Sequence, residues 1–273
     1  MNYRHAYHAG NHTEVFKHAV LALILDRLRQ KPAPFMVLDT HAGLGLYDLR
    51  SPEALKTGEA AAGIGAVLAS GRELPGPYLS VVRPFTDRGL YPGSPAIAAA
   101  MLRAHDRIAA CELHPEDVAV LRRNFRDDRR VAVHHRNGYE ALLALIPPPE
   151  RRGLVFVDPP YEKTDEAERL GRTLAAAVRK WPTGIFAAWY PIKDDAIGRA
   201  IARPLVEAGV PGCLKVELLR HRPDGERLAG SGILLINPPW QLDDDLRRLG
   251  GELLAALSAG QGRSTVDSLT MFR

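Results

Sequence analysis

Short apolar runs alternate with longer amphipathic segments along most of the chain. The runs are rich in Val, Ile, Leu, Phe and Ala, and most are followed by apolar residues at helical spacing. Strand–helix–strand units form parallel neighbours with right-handed crossovers, so this rhythm predicts a doubly wound α/β sheet. The predicted strands are residues 35–39, 107–112, 131–135, 153–158, 184–190, 212–219 and 231–237, and the helices predicted between them are residues 116–125, 139–146, 166–180 and 194–208.

Two parts of the chain depart from this rhythm. Residues 220–230 join the last two predicted strands without a helical pattern, so those strands should pair antiparallel. Residues 49–92 hold one short predicted helix, 59–70, followed by a Pro/Gly-rich stretch, which indicates an insertion. We therefore expect one domain over residues 1–273, with a mostly parallel doubly wound sheet, one antiparallel strand and a small helical insertion subdomain. This Rossmann-like architecture is typical of methyltransferases that use S-adenosylmethionine (SAM), with ligands at the carboxyl ends of the parallel strands.

The composition is that of an ordinary globular protein with a mild positive charge. Hydrophobic residues make up 46% of the 273 residues, and the net charge is +4. We see no membrane span and no signal-peptide pattern, and Cys111 and Cys213 are expected to be buried free thiols; we therefore expect a cytoplasmic protein without membrane contact. Basic residues concentrate at 122–136, 151–152 and 220–227, which permits a nucleic-acid partner but is also common on a solvated surface.

Glycines and polar residues follow three successive predicted strands. Gly43 lies in a glycine turn, where the backbone can approach a ligand, although a purely structural turn has the same sequence. Asp48 stands where a dinucleotide fingerprint needs a third glycine, which favours the turn that faces the methionine and ribose of SAM. Glu112 could accept hydrogen bonds from ribose hydroxyls or simply open a helix. Asn137-Gly138 could meet the adenine amine of SAM or form an ordinary turn.

The strongest motif is Asp158-Pro159-Pro160-Tyr161, which follows an apolar predicted strand. The N6 amine of adenine is a poor nucleophile because its lone pair is delocalised into the ring. The Asp158 carboxylate and the Pro159 carbonyl could each accept one amine hydrogen and so localise that lone pair for attack on a sulfonium methyl group. The prolines, including Pro160, stiffen the backbone, and Tyr161 offers a flat face to an extruded base. We interpret these four residues as catalytic rather than as a helix-capping aspartate with a plain proline loop.

A second sequence of the same kind, Asn237-Pro238-Pro239-Trp240, follows the last predicted strand. If that strand is antiparallel, its carboxyl end points to the opposite edge of the sheet. We therefore interpret residues 237–240 as structural. By the same topology, the loop 220–230 and Trp189-Tyr190-Pro191 should lie on the active face as candidate substrate contacts.

Several of these motifs together resemble the ribosomal RNA large subunit methyltransferase J family, and the likeness runs from residue 2 to about residue 240. The motif at the N-terminus is the most specific, since many DNA and RNA enzymes share the Asp-Pro-Pro-Tyr sequence. The motifs are Tyr3-Arg4-His5, His8-Ala9-Gly10-Asn11-His12, Lys17-His18, residues 38–43, Tyr91-Pro92-Gly93-Ser94, Glu112-Leu113-His114-Pro115, Asp158-Pro159-Pro160-Tyr161 and Trp189-Tyr190-Pro191.

The resemblance implies N6 methylation of one adenine in 23S ribosomal RNA, with SAM as the methyl donor and S-adenosylhomocysteine as the product. It implies that Tyr3 and Arg4 contact the substrate. Asn137 stands where an Asp is common in the family, which puts its contact with the adenine of SAM in question. The residues expected to bind the cofactor, Gly43 of the glycine turn included, are Lys17, His18, His41, Gly43, Ser94, Glu112, Asn137, Gly138 and Asp158.

Two other functions share part of this pattern. A DNA adenine methyltransferase would use the same chemistry, and an inactive RNA-binding protein could keep the scaffold, although the intact Asp158 motif argues against the latter.

We expect a monomer acting on naked or early-precursor 23S rRNA. His8, His12 and His18 are too irregularly spaced for a metal site. Residues 3–12 interleave aromatic and cationic groups and are expected to close over the cleft, or else to dock on the sheet as a structural arm.

Overall fold

A twisted sheet of eight strands forms the centre of the computed structural model, which describes residues 7–257 and 260–269. The strands are β1 (Met36–Asp39), β2 (Leu46–Asp48), β3 (Leu90–Pro92), β4 (Arg107–Glu112), β5 (Val131–His135), β6 (Gly153–Val157), β7 (Ile185–Ile192), β8 (Cys213–Leu219), β9 (Gly230–Ile236) and β10 (Arg263–Ser268). The order in the large sheet is β10-β8-β9-β7-β6-β1-β4-β5, and β2 pairs with β3 in a separate hairpin.

Helices cover both faces of the sheet. Asn11 begins the first helix by accepting hydrogen bonds from the backbone of Thr13 and Glu14. None of the helices found in residues 7–257 and 260–269 is long and apolar enough to cross a membrane. They are α1 (His12–Arg29), α2 (Pro52–Thr57), α3 (Ala66–Ala69), α4 (Tyr78–Thr86), α5 (Ser94–Met101), α6 (Pro115–Asn124), α7 (Gly138–Ala144), α8 (Glu166–Lys180), α9 (Ala196–Glu207) and α10 (Leu242–Leu257).

The five strands β5, β4, β1, β6 and β7 run parallel, as the alternating pattern predicts. Every residue of β1 and β6 is buried, which is typical of strands covered on both faces and explains their continuous apolar sequence. The chain leaves β1 towards β4 and β5 and later returns to its other side as β6 and β7. Such a reversal of strand order opens a crevice at the carboxyl ends of the strands, where open α/β sheets bind ligands.

The last strands run in alternating directions. β9 lies antiparallel between β7 and β8, which confirms the pairing predicted from the helix-free loop at 220–230. β10 then pairs antiparallel with β8 at the edge of the sheet, so two strands are reversed rather than the one expected. The sequence of β10 has one aliphatic residue, Val266, and no alternating pattern, and it therefore gives no strand signal.

The chain between β2 and β3, here called the β2–β3 segment (residues 49–89), holds α2, a π-helical turn (Ala61–Gly65), α3 and α4. The helix predicted over 59–70 is broken at Gly63, whose φ of −103° and ψ of −105° are not helical. A Cβ at this position would overlap the carbonyl oxygen of Gly10. The break therefore results from close packing against the residues that precede α1, which the local sequence does not reveal.

Candidate active site

A cavity of about 590 Å³ lies between the carboxyl ends of the parallel strands and the first half of α1. It is lined by all the predicted catalytic and cofactor-binding residues, each of which falls within the described part of the chain. Tyr3 and Arg4, the predicted substrate contacts, lie outside the described residues. The predicted catalytic and cofactor-binding residues in the lining are Lys17, His18, His41, Gly43, Ser94, Glu112, Asn137, Gly138, Asp158, Pro159, Pro160 and Tyr161.

A buried ion cluster joins α1 to the Asp158 motif. The Lys17 ammonium contacts the carboxylates of both Glu14 and Asp158, and the side chains of Lys17 and Glu14 are each only 2% exposed. The same ammonium lies 4.8 Å from the centroid of the Trp189 ring. A positive charge against Asp158 favours the ionised carboxylate, which is the form that accepts hydrogen bonds from a substrate amine. Glu14 was missed from the sequence, although it lies one helical turn before Lys17.

His18, the next residue of α1, is fixed by a pair of buried tyrosines. Its Nδ1 lies 2.9 Å from the Tyr91 hydroxyl, which in turn lies 3.1 Å from the Tyr78 hydroxyl. Burial is the main cause that raises the pKa of Tyr91 well above its ordinary value, so both tyrosines remain neutral hydrogen-bonding groups. The imidazole plane at the cavity wall is thereby set by residues of the β2–β3 hairpin and of α4.

Glu112 links the loops that follow β1 and β4. One carboxylate oxygen accepts a hydrogen bond from the Gly43 backbone at 2.9 Å, and the other accepts from the His114 backbone at 2.8 Å. Glu112 is thus not merely a surface acid at the start of a helix, because it holds the glycine turn in place. The adjacent Leu113 also lines the cavity with 44% of its surface exposed, an apolar surface suited to the face of a planar ring.

Asn137 both caps a helix and lines the cavity. Its side-chain oxygen accepts a hydrogen bond from the Tyr139 backbone at 2.9 Å and so begins α7. The next residue must be glycine for steric reasons, because a Cβ on Gly138 would overlap the carbonyl oxygen of Thr40. The turn after β5 therefore lies directly against the turn after β1.

The Asp158 motif is anchored to β7 by its tyrosine. Tyr161 adopts a φ of 52°, and its hydroxyl donates a hydrogen bond to the Trp189 carbonyl at 2.6 Å. Residues 189–191 all lie within β7, which continues to Ile192 instead of ending at residue 190. Trp189 and Pro191 line the cavity, whereas Tyr190 is buried on the other face and donates to Glu217 at 2.8 Å. Tyr190 is therefore not a substrate contact, since side chains alternate across a strand.

The second proline-proline motif, residues 237–240, lies at the opposite edge of the sheet from the cavity. Asn237 follows the antiparallel strand β9, and its amide donates hydrogen bonds of 2.8 Å to the carbonyls of Pro182 and Gly184, which precede β7. Residues 237–240 therefore lie away from the cavity, as predicted for an antiparallel last strand, and their structural role stays a prediction. On the active face, Leu228 from the loop 220–230 lines the cavity, as that topology also predicts.

Two further titratable groups interact with the charges of this ion cluster. Burial raises the pKa of Asp39 from its ordinary value of 3.8 to about 7, against the opposing hydrogen bond of Ser94, and Asp158 adds to the increase. Burial, assisted by the charge of Lys17, lowers the pKa of His41 to about 4, so this imidazole is neutral. Asp39 was not selected from the sequence, although it ends β1 immediately before the glycine turn.

The pKa of Asp39 predicts a pH-dependent stability. The pKa of Asp39 is about 7 in the folded chain, above its ordinary value of 3.8. Between these two pH values, the folded chain therefore keeps a proton on Asp39 that the unfolded chain has lost. The free energy of unfolding of the wild type, relative to Asp39→Asn, should therefore fall as the pH rises from about 5 to about 7 and then level off. Urea unfolding of both proteins across this range measures the difference, and a difference independent of pH would contradict the assignment.

Comparison with known proteins identifies the relatives of this chain. A sequence model of the family described as "Ribosomal RNA large subunit methyltransferase D, RlmJ" matches residues 32–270. Two proteins named Ribosomal RNA large subunit methyltransferase J, from Haemophilus influenzae and Escherichia coli, are 40% and 39% identical in sequence to this chain. The first alignment covers 99% of both chains and the second 98% of both. A crystal structure of a Legionella pneumophila protein superposes with a TM-score of 0.87 at 32% identity, covering 96% of this chain and 98% of that one.

Proposed function

Because this chain belongs to the ribosomal RNA large subunit methyltransferase J family, we propose that it transfers a methyl group from SAM to the N6 amine of one adenine in 23S ribosomal RNA. The observation that carries this proposal is the position of Asp158-Pro159-Pro160-Tyr161. The motif stands at the carboxyl end of β6, in the same cavity as Glu112 and the glycine turn. A cofactor and a base could therefore meet in that cavity.

The residues that line the cavity can pair with the donor and acceptor groups of SAM. Glu112 already holds two backbone amides, and its carboxylate oxygens have further lone pairs that could accept from ribose hydroxyls. Leu113 would pack against the adenine ring, and Asn137 and Gly138 would border it. His18, His41 and Ser94 line the wall beneath α1, where the methionine part would lie. Lys17 would approach the methionine carboxylate from the same helix.

The residues of the Asp158 motif would then prepare the substrate amine. SAM supplies an electrophilic methyl group on its sulfonium sulfur. Asp158, kept ionised by Lys17, would accept one N6 hydrogen, and the Pro159 carbonyl would accept the other, so that the nitrogen lone pair becomes available. Tyr161, held by its hydrogen bond to Trp189, would support the base from one side.

Cations at the cavity favour a nucleic-acid substrate, and the family makes that substrate RNA. Lys163, Arg169 and Lys193 line the cavity, and the Arg169 guanidinium lies 4.3 Å from the centroid of the Tyr139 ring. The lysines are exposed and suited to phosphates on either side of an extruded nucleotide. The proposal extends to Tyr3 and Arg4 as substrate contacts and to a cytoplasmic monomer acting on naked or early-precursor rRNA.

The role of Glu112 gives a quantitative prediction. Glu112→Ala should weaken SAM binding by on the order of 2 kcal/mol, because it removes a charged acceptor for the ribose. Isothermal titration calorimetry measures the affinity. Thermal unfolding checks that loss of the hydrogen bond between Glu112 and the glycine turn has not destabilised the fold. Glu140→Ala, an exposed acid in the first turn of α7, is the matched control and should bind SAM like the wild type. Equal affinities for all three proteins would refute the assignment.

The choice between RNA and DNA is tested with labelled SAM. The protein is incubated with protein-free large-subunit rRNA and, separately, with adenine-rich duplex DNA of the same total length. We expect label in the RNA and little in the DNA. Label in the DNA alone would favour the DNA adenine methyltransferase that the same motif permits, and label in neither would refute the proposed function.

A further inference from the structure

We propose that the β2–β3 segment positions the residues before α1 at the active site, with Glu59 as the positioning residue. This inference rests on the proposed function, because its consequence is a change in the rate of methyl transfer. Glu59 does not line the cavity, and it would act only through the side chains that it holds. The segment would thereby be part of the catalytic apparatus rather than a separate surface attachment.

The β2–β3 segment donates hydrogen bonds to the backbone of residues on the N-terminal side of α1. The Thr57 hydroxyl donates to the Tyr7 carbonyl at 2.7 Å, and the Ile64 backbone amide donates to the Gly10 carbonyl at 2.8 Å. Gly63 is in such close contact that a side chain there would overlap the backbone of Gly10. These contacts hold residues 7–10, which precede α1, in a defined position against the β2–β3 segment.

Glu59 adds the side-chain contacts that connect this docking to the cavity. Its Oε2 accepts a hydrogen bond from Asn11 Nδ2 at 2.9 Å and lies 3.0 Å from His8 Nδ1. His8 and Asn11 both line the cavity that contains Asp158. One carboxylate oxygen thus holds two residues of the cavity wall at once.

The contacts continue from Asn11 to the catalytic carboxylate. The Asn11 side-chain oxygen accepts from the backbone amides of Thr13 and Glu14 at 3.0 and 2.9 Å, and so fixes the first turn of α1. The Glu14 carboxylate contacts the Lys17 ammonium, which contacts Asp158. Loss of the Glu59 carboxylate would leave the Asn11 amide without this acceptor and allow the first turn of α1 to shift relative to Asp158.

The expected result is a defect in the chemical step. Glu59→Ala should lower the single-turnover rate at saturating RNA and SAM by about tenfold, since small displacements of catalytic groups have effects of at least this size. The affinity for SAM should fall by less than the rate does, because Lys17 and Asp158 belong to this chain of contacts whereas Glu112 and its loops lie outside it. Glu59→Gln, which retains one side-chain oxygen for Asn11, should recover most of the rate.

A control and a double variant separate positioning from stability. Glu73→Ala changes an exposed acid of the same segment and should retain the wild-type rate. His8→Ala combined with Glu59→Ala should have an effect smaller than the product of the two single effects, because both remove the same contact.

Two outcomes would overturn the inference, given an active wild type. One is a wild-type rate for Glu59→Ala. The other is a loss of rate that matches a loss of SAM-binding stoichiometry, which would show that Glu59 only stabilises the fold. An inactive wild type, in contrast, would refute the proposed function before Glu59 is considered.

Discussion

Replacing Asp158 with asparagine is expected to reduce methyl transfer by about 10²- to 10³-fold while the fold is kept. Asparagine has nearly the same size as aspartate, but it is neutral and has only one acceptor oxygen. The Lys17 ammonium, which contacts the carboxylate in the wild type, should attract that oxygen. The amide NH₂ would then face the substrate amine, donor against donor. Single-turnover rates with saturating RNA measure the effect, and circular dichroism verifies the fold.

The matched control is Asn237→Ala in the second proline-proline motif. The Asn237 amide donates hydrogen bonds to two carbonyls near the amino ends of the parallel strands. Loss of this side chain should therefore lower the stability of the fold slightly and leave the rate per folded molecule within about threefold of the wild type. An active Asp158→Asn together with a folded but inactive Asn237→Ala would reverse the assignment of the two motifs. Topology alone distinguishes them, since β9 runs opposite to β6.

Replacing Lys17 with methionine should lower the free energy of unfolding by about 3–5 kcal/mol, because the ammonium that contacts two buried carboxylates is removed. The side chains of Lys17 and Glu14 are 2% exposed and that of Asp158 is 13% exposed, so water cannot replace the lost charge effectively. Methyl transfer should fall as well, because Asp158 loses the charge that favours its ionised form. Urea unfolding monitored by fluorescence measures the stability.

Arg172→Met is the matched control for this loss. Arg172 pairs with Glu168 across one helical turn of α8, and the two side chains are 57% and 40% exposed. Exposed pairs of this kind contribute less than about 1 kcal/mol, because solvent and salt screen them. Similar losses of stability in Lys17→Met and Arg172→Met would show that the ion cluster at the cavity is not a buried, tightly held network.

The parallel part of the fold and the place of the catalytic motif were predictable from the sequence for a simple physical reason. Strands buried on both faces must be continuously apolar, so β1 and β6 are recognisable as short runs that end at Asp39 and Asp158. The reversal of β9 was also predictable, because no helix is available to return the chain to the same edge. These local signals place the cavity without any knowledge of distant contacts.

Other features depend on contacts between distant residues and left no local signal. The break at Gly63 exists because of Gly10, and the edge strand β10 pairs with β8 through its backbone despite a polar sequence. Glu14 and Asp39 are conspicuous only after folding buries them beside Lys17. β7 ends at Ile192, two residues beyond the predicted end, and the interior position of Tyr190 follows from the alternation of side chains along this strand. Tyr3 and Arg4, which lie outside the described residues, stay predictions.

The identity of the methylated nucleoside tests the proposed reaction most directly. Large-subunit rRNA is incubated with the protein and SAM, digested to nucleosides and analysed by mass spectrometry against standards, with Asp158→Asn as the blank. The Asp158 site predicts N6-methyladenosine as the new product, absent from the blank. A methyl group on cytosine, or on an adenine ring nitrogen, would contradict a site that activates an exocyclic amine of adenine.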